Sequence, residues 1–316
     1  MSFAFSTTTD EVLEGIDLTG TVAVVTGASG GLGLETSRAL AAHGAHVVMA
    51  ARDADKNLGA VASIVQQHPG ADVTPMTLDL ASLASVRQFA TDVLDRYDQI
   101  QLLVNNAGVM CTPFGHTADG FELQFGTNHL GHFLLTNLLV PALIAGAPSR
   151  VISVSSAGHA MGNIDFDDPN FAHRPYGGWE SYGQSKTANI LFARELDRRL
   201  ASKGVRAYSV HPGGIQTELG RYMTPEDIKW LMDRIASSPG GGSFEFKSIP
   251  QGAATQVWAA TSSSLDGQGG IYLEDCQLAQ PMGEGSGRGY TPYAADDAAA
   301  ERLWTMSEGF VGQTFS

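Results

Sequence analysis

The chain predicts a doubly wound α/β fold, a single domain built on one parallel sheet of about seven strands with helices on both faces, and three observations predict it. Apolar, β-branched runs alternate with helix-like segments from Thr21 to Leu273, the pattern that crossover helices on a parallel sheet require. A glycine-rich run, Thr26-Gly27-Ala28-Ser29-Gly30-Gly31-Leu32-Gly33, sits between the first strand and the first long helix. No long linker, internal repeat or low-complexity tract divides the 316 residues, so they read as one large domain rather than two small ones.

Residues 1–17 form an extension in which Thr7-Thr8-Thr9-Asp10-Glu11 reads as a capped helical turn laid over the surface. The domain then runs from residue 18 to 316, with strands expected near 21–26, 45–51, 73–78, 101–105, 150–155, 205–211 and 270–273. Val22-Ala23-Val24-Val25 is apolar throughout, as a strand buried on both faces must be. Leu34 to His43 reads as a helix. The most apolar segment, Phe133 to Ala147, is broken by Asn137 and Pro141 and reads as a buried helix. No stretch reaches the roughly 18 apolar residues of a membrane span, and the start lacks the basic, then apolar, pattern of a signal peptide. Pro225 to Ala236 is helical in pattern, and Gly240-Gly241-Gly242 after it reads either as the hinge of a lid over residues 218–249 or as an ordinary loop.

The glycine run carries the first chemistry. A strand, a tight turn and a helix start set backbone N–H groups and the positive end of a helix dipole against a pyrophosphate. A side chain at Gly27, Gly31 or Gly33 would block the turn, the approach of the phosphates or the packing of helix on strand. The acidic residue that takes the ribose 2′-hydroxyl of NAD about 20 positions later is replaced by Ala51, and Arg52 follows it. A guanidinium suits a 2′-phosphate, so NADP(H) is expected, with NAD(H) as the alternative if Arg52 merely pairs with Asp53 or Asp55.

The second chemistry lies in Tyr182-Gly183-Gln184-Ser185-Lys186. Four-residue spacing puts phenol and ammonium on one helix face, and a neighbouring cation lowers a tyrosine pKa from near 10 toward the range useful for proton transfer. An exposed helix face would explain such a pair equally well in isolation; the glycine run is what favours chemistry.

With both in place, the chain resembles the short-chain dehydrogenase/reductase family, whose members have Rossmann-type sheets, over about residues 18–280. Leu78-Asp79-Leu80 resembles the strand end whose aspartate holds the adenine, with Asp79 and Leu80 as contacts, and Asn105-Asn106-Ala107-Gly108 resembles the turn beneath the cofactor. The resemblance implies Asn128 as the active-site asparagine and Ser156, the second of the paired serines, as the catalytic serine beside Tyr182 and Lys186. It also implies nicotinamide contacts from Pro212, Gly213, Ile215 and Thr217, and cofactor contacts from Ser29 and Leu32 within the glycine run. Ser156 and Tyr182 stand 26 positions apart, about twice the spacing of the simplest members. The extra loop and the ending Leu303-Trp304-Thr305-Met306-Ser307-Glu308 resemble the branch of retinol dehydrogenases, the WW-domain oxidoreductase and protochlorophyllide reductases, where NADP(H) is usual.

The net charge of −14 and pI near 4.9 disfavour nucleic acid and anionic membranes as partners. Two cysteines, Cys111 and Cys276, form no disulfide framework, which fits a reducing cytoplasm. No metal site is expected: His129 and His132 have helical ligand spacing without an acidic or cysteine partner, His129 reads as a helix residue and His159 as a pocket-wall residue.

The expected reaction interconverts a lipophilic or aromatic alcohol and its ketone or aldehyde. Tyr182 gives or takes the hydroxyl proton, Ser156 steadies the substrate oxygen, Lys186 lowers the phenol and holds the ribose, and, by resemblance, Asn128 orients a water. Met110, Met161, Phe166, Tyr176, Trp179, Tyr222, Met223 and Trp230, in or near the substrate loop 157–181 and the lid, argue for an apolar substrate. Reduction of a conjugated C=C bond and a catalytically silent nucleotide-sensing protein are the alternatives. Alanine and leucine faces at about 119–146 and 182–201 suggest pairing as a homodimer or homotetramer, or else burial against the sheet.

Overall fold

The computed structural model describes residues 3–237, 245–283 and 288–315; the Gly240–Gly242 hinge lies outside them. The elements, in chain order, are α1 (Thr9–Leu13), β1 (Val22–Thr26), α2 (Gly31–Ala42), β2 (His46–Ala51), α3 (Ala54–Gln67), β3 (Asp72–Thr77), α4 (Leu83–Leu94) and β4 (Leu102–Asn105). They continue with α5 (Leu123–Phe125), α6 (Gly131–Ala145), β5 (Ser149–Val154), α7 (Gly178–Leu200), β6 (Val205–His211), α8 (Pro225–Ala236), α9 (Ile249–Thr261), β7 (Ile271–Glu274), β8 (Gln277–Leu278) and α10 (Asp297–Val311). The sheet order is β3-β2-β1-β4-β5-β6-β7-β8, parallel except for the β7–β8 pair. The seven predicted strands are thus present, and a two-residue antiparallel strand extends the edge. Strand order reverses between β1 and β4, so the crevice beyond their carboxyl ends is where a doubly wound sheet binds its ligand.

Alternate residues along each strand face opposite layers. Val25, Val47, Met49, Ile152 and Tyr208 pack with α1, α2 and α9, whereas Val24, Val48, Leu103 and Val151 pack with α4, α6, α7 and α10. Burying each such side chain contributes about 1.5–3 kcal/mol, so both faces anchor the crevice. Thr8 and Glu11 form a reciprocal cap on α1. That helix does more than lie on the surface, because Val12 and Leu13 enter the first of these layers.

Helix α6 continues through Pro141, and Asn137 bonds back to the Phe133 carbonyl at 2.8 Å. Leu123–Ala145 forms one continuous helical stretch of 23 residues with mean hydropathy 1.2, long and apolar enough for a span by length and composition, contrary to the expectation that no stretch would be. It is 72% buried within the protein. The faces of α6 and α7 offered for pairing are covered by α10: Trp304 meets Phe133 at 5.0 Å and stacks on Phe192 at 6.1 Å. Much of both faces is thus buried within the chain.

Candidate active site

Thr26 ends β1, and its hydroxyl organises the first wall. Oγ1 accepts the N–H groups of Asn106 (2.9 Å) and Ala107 (3.0 Å), while the Asn106 amide donates to the Thr26 carbonyl (2.8 Å). The glycine turn is pressed against this segment. A Cβ on Gly27, at φ +67°, would lie 2.9 Å from Ala107 Cα, and one on Gly33 would lie 2.3 Å from the Gly27 carbonyl oxygen. Glycine is therefore obligatory at both. Ser29 lies within the turn, and because α2 begins at Gly31 the N–H groups of Gly31, Leu32 and Gly33 have no intrahelical acceptor. Free donors at the positive end of a helix dipole make this cradle fit a dinucleotide pyrophosphate.

Arg52 follows β2 at the surface and takes no hydrogen bond or ion pair among the described residues. Asp53 is occupied differently, capping α3 by accepting from the Lys56 N–H at 3.0 Å. The guanidinium is left facing solvent at the place where the adenosine ribose of a bound dinucleotide belongs. Asp79 accepts from Ala81 through Oδ1 (3.0 Å), and Leu80 is buried beside Gly131. Across the crevice, the segment after β6 arches back through Pro212 and Gly213 (φ +98°). Ile215 pairs with Lys247 there, and Thr217 comes beside Gly31.

The four residues expected to carry the chemistry converge. Helix α7 presents Tyr182 and Lys186, and β5 delivers Ser155 and Ser156 next to them. The Ser156 side chain lies close enough to the Tyr182 phenol to lower its pKa, and its Oγ accepts the Gly158 N–H at 3.0 Å. A Cβ at Gly158 would stand 2.7 Å from the Tyr182 ring, so the absence of a side chain there lets the phenol reach the serine. Lys186 Nζ donates to the Val154 carbonyl at 2.9 Å and lies 5.6 Å from the Tyr182 ring centroid. Beneath Gly108, a Cβ would meet Asn128 Oδ1 at 3.2 Å and Lys186 Nζ at 3.6 Å.

Asn128 lies in a π-helical turn, Gly126–Leu130. Its Oδ1 accepts the Val109 N–H (2.8 Å), and its Nδ2 donates to the Val109 carbonyl (2.9 Å) and to Ser185 Oγ (2.9 Å). Ser185 Oγ donates in turn to the Tyr182 carbonyl at 2.8 Å. The amide therefore ties α7 to the Val109 segment that follows β4. The Asn128 backbone carbonyl accepts His132 Nδ1 at 2.9 Å.

The electrostatics correct one expectation. Burial pushes the Tyr182 phenol up to about 12, with the nearby Ser156 side chain pulling against it. Lys186, held by the Val154 carbonyl, is not among the groups that lower the phenol, and desolvation dominates. Burial pushes Lys186 itself down to about 8. At neutral pH the phenol holds its proton, the state needed to donate to a carbonyl oxygen. A bound nicotinamide would supply or accept the hydride. Ser156 sits beside the phenol, and Lys186 and Gly108 lie together with Asn128 at the floor of the cleft.

The loop after Ser156 is not slack. Arg174 pairs with Asp165 (3.2 Å), Asp168 (3.8 Å) and Glu180 (2.5 Å), and caps the Phe171 ring at 3.6 Å. Buried Glu122 caps α5 and reaches the Tyr176 hydroxyl, which Gln124 also contacts. Trp179 stacks on Trp230 of α8 (5.4 Å) and meets Tyr182 edge-on (6.4 Å). An open cavity of about 390 Å³, lined by Met161, Trp179, Trp230 and Arg234 among others, lies beside this ladder. Phe166, expected in or near this pocket, instead packs toward α10 beneath Arg302. His159, expected on the pocket wall, is wholly buried. Ser155, Ser185, Asn189 and His132, none of them singled out from the sequence for the site, brace it: Ser155 Oγ holds the Lys186 carbonyl and Asn189 shares the Val154 carbonyl with Lys186. Among the described residues, no group of three or more His, Cys, Asp or Glu is placed to hold a metal.

The family model described as short chain dehydrogenase matches residues 21–227. The chain is 43% identical to "Short-chain dehydrogenase/reductase prx1" of Penicillium roqueforti over 90% of its own length and 83% of that protein. It is 41% identical to "Retinol dehydrogenase 11" of Mus musculus, covering 94% of this chain and 88% of that one. A crystal structure described as a putative uncharacterized protein from Mycobacterium paratuberculosis superposes with a TM-score of 0.73 at 36% identity, covering 95% of this chain and 96% of that one.

Proposed function

The chain belongs to the short-chain dehydrogenase family, acting as an oxidoreductase on CH–OH groups with NAD(P), and from that premise we propose that it is an NADP(H)-dependent enzyme interconverting a lipophilic or aromatic alcohol and its ketone or aldehyde. One observation carries the reading: a buried, protonated Tyr182 beside Ser156 stands in one cleft with Lys186, Asn128 and the glycine cradle. The unpaired Arg52 supports NADP(H). The Trp179–Trp230 ladder, and the name of the murine relative, support an apolar substrate. NADP(H) in a reducing cytoplasm, where we place a chain whose two buried cysteines are free, favours reduction.

The test is NADPH oxidation, followed by absorbance with a panel of lipophilic aldehydes and ketones, with NADH as control and product analysis to detect any C=C reduction. Tyr182→Phe should keep the fold and NADPH binding and lower turnover by about 10²–10⁴. Near-native turnover in that variant would refute the assignment.

A further inference from the structure

The peptide bond that follows Ser156 is held from both sides by histidines, His159 wholly buried and His211 half-buried. Its carbonyl, Ser156 O, accepts the His159 backbone N–H at 3.0 Å and lies 2.7 Å from His159 Nδ1. Its N–H, on Ala157, donates to His211 Nδ1 at 3.2 Å. A carbonyl only accepts and an N–H only donates, so these contacts fix both tautomers. His159 must carry its proton on Nδ1, and His211 must carry its proton on Nε2. The second contacts agree. His159 Nε2 accepts the Thr291 N–H at 3.1 Å, and His211 Nδ1 also lies 3.4 Å from the Gly213 N–H. Burial lowers the pKa of both rings, with the proximity of His159 adding to the shift at His211, so both are neutral at physiological pH.

We propose that His159 and His211 are positioning residues that grip the Ser156–Ala157 peptide in opposite tautomers and thereby aim the Ser156 hydroxyl at Tyr182. The geometry gives them different second duties. His159 ties the serine to the segment before α10 through Thr291, and its own carbonyl receives Thr187 and Tyr293. His211 ties the same peptide to Gly213, in the loop that faces the glycine cradle. Serine placement and cofactor-loop placement are thus joined through one imidazole. The inference rests on the reading of Ser156 as the group that holds the substrate oxygen.

Asparagine and glutamine separate the two ring positions, since an asparagine amide falls near Nδ1 and a glutamine amide near Nε2. His159→Asn restores a donor to Ser156 O and should keep kcat within about threefold, whereas His159→Gln should lose about tenfold with the KM for NADPH unchanged. His211→Asn restores the acceptor, whereas His211→Gln should lower kcat and also weaken NADPH binding, measured directly by fluorescence titration. Equal losses in the Asn and Gln variants, or losses explained by the unfolded fraction alone, would overturn the proposal. Nitrogen-15 NMR of the imidazoles gives a readout that needs no turnover: one Nδ1–H and one Nε2–H ring are expected, and like tautomers at both positions would sink the idea even in an inactive protein. A wild-type chain that turns over no carbonyl but shows the opposed tautomers would defeat the functional reading and leave the clamp standing.

Discussion

Ser155 Oγ donates to the Lys186 carbonyl at 2.8 Å, a bond between strand β5 and helix α7 made one residue before Ser156. Both groups are fully buried. The two elements that must meet for proton transfer are thus joined at the backbone by the serine that takes no part in it. Ser155→Ala leaves a buried carbonyl with one bond fewer and should cost about 1–3 kcal/mol, seen as a melting temperature lower by about 2–5 °C. Turnover should fall further than the folded fraction does, because α7 loses its register against Ser156. A variant with native kcat would show that this bond does not position the helix.

Arg52 decides between nucleotides because it is exposed and unpaired among the described residues, at the end of β2. Arg52→Ala removes a charge-assisted contact to a 2′-phosphate, worth about 1.5–3 kcal/mol. The KM for NADPH should rise about 10–100-fold and that for NADH should change little. Equal rises for both would mean that the guanidinium does not read the phosphate.

Lys186 sets the alkaline limit for carbonyl reduction. Burial holds its pKa at about 8, so the ammonium is present below that pH and lost above it, while the Tyr182 phenol, pushed up to about 12, keeps its proton throughout. A kcat/KM profile for reduction should be level from pH 6 to 7.5 and decline above about 8. A profile level to pH 10 would show that the lysine charge is not needed.

The central strands β1, β2 and β4 were legible because each is a largely apolar run, and the predicted bounds of all seven differ from those found by a residue or so. The glycine run was legible because close approach to Asn106 and Ala107 excludes every side chain at Gly27 and Gly33. Strand β8 was not: its turn, Asp275–Cys276, takes positive φ at two residues without glycine, so the usual hairpin signal is missing. The direction of the Tyr182 shift was misread because spacing reveals a neighbouring lysine but not the depth of burial or the Val154 carbonyl that captures its ammonium. The roles of His132, His159 and His211 depend on partners up to 132 positions away. No local pattern encodes those contacts.

The buried histidines also set the acid limit of stability. Burial pushes His129 to about 3, His132 to about 4 and His211 to about 3, against about 6.5 in the unfolded chain. For a group whose folded pKa is depressed and whose neutral form is the folded one, the unfolded chain binds the extra proton. Stability is then fully present above pH 6.5 and lost as pH falls through the window down to 3–4. At pH 5 each such histidine costs about 2 kcal/mol, so the three together cost about 6 kcal/mol. Buried Glu122, its carboxyl raised by desolvation, acts in the opposite sense and offsets part of this. Urea unfolding should therefore give a free energy that drops steeply between pH 7 and pH 5. His129→Gln, which keeps an amide near the Nε2 position bonded to Ser307, should flatten that slope by about one proton, or about 1.4 kcal/mol per pH unit. An unchanged slope in this variant would mean that His129 takes up its proton without unfolding the chain.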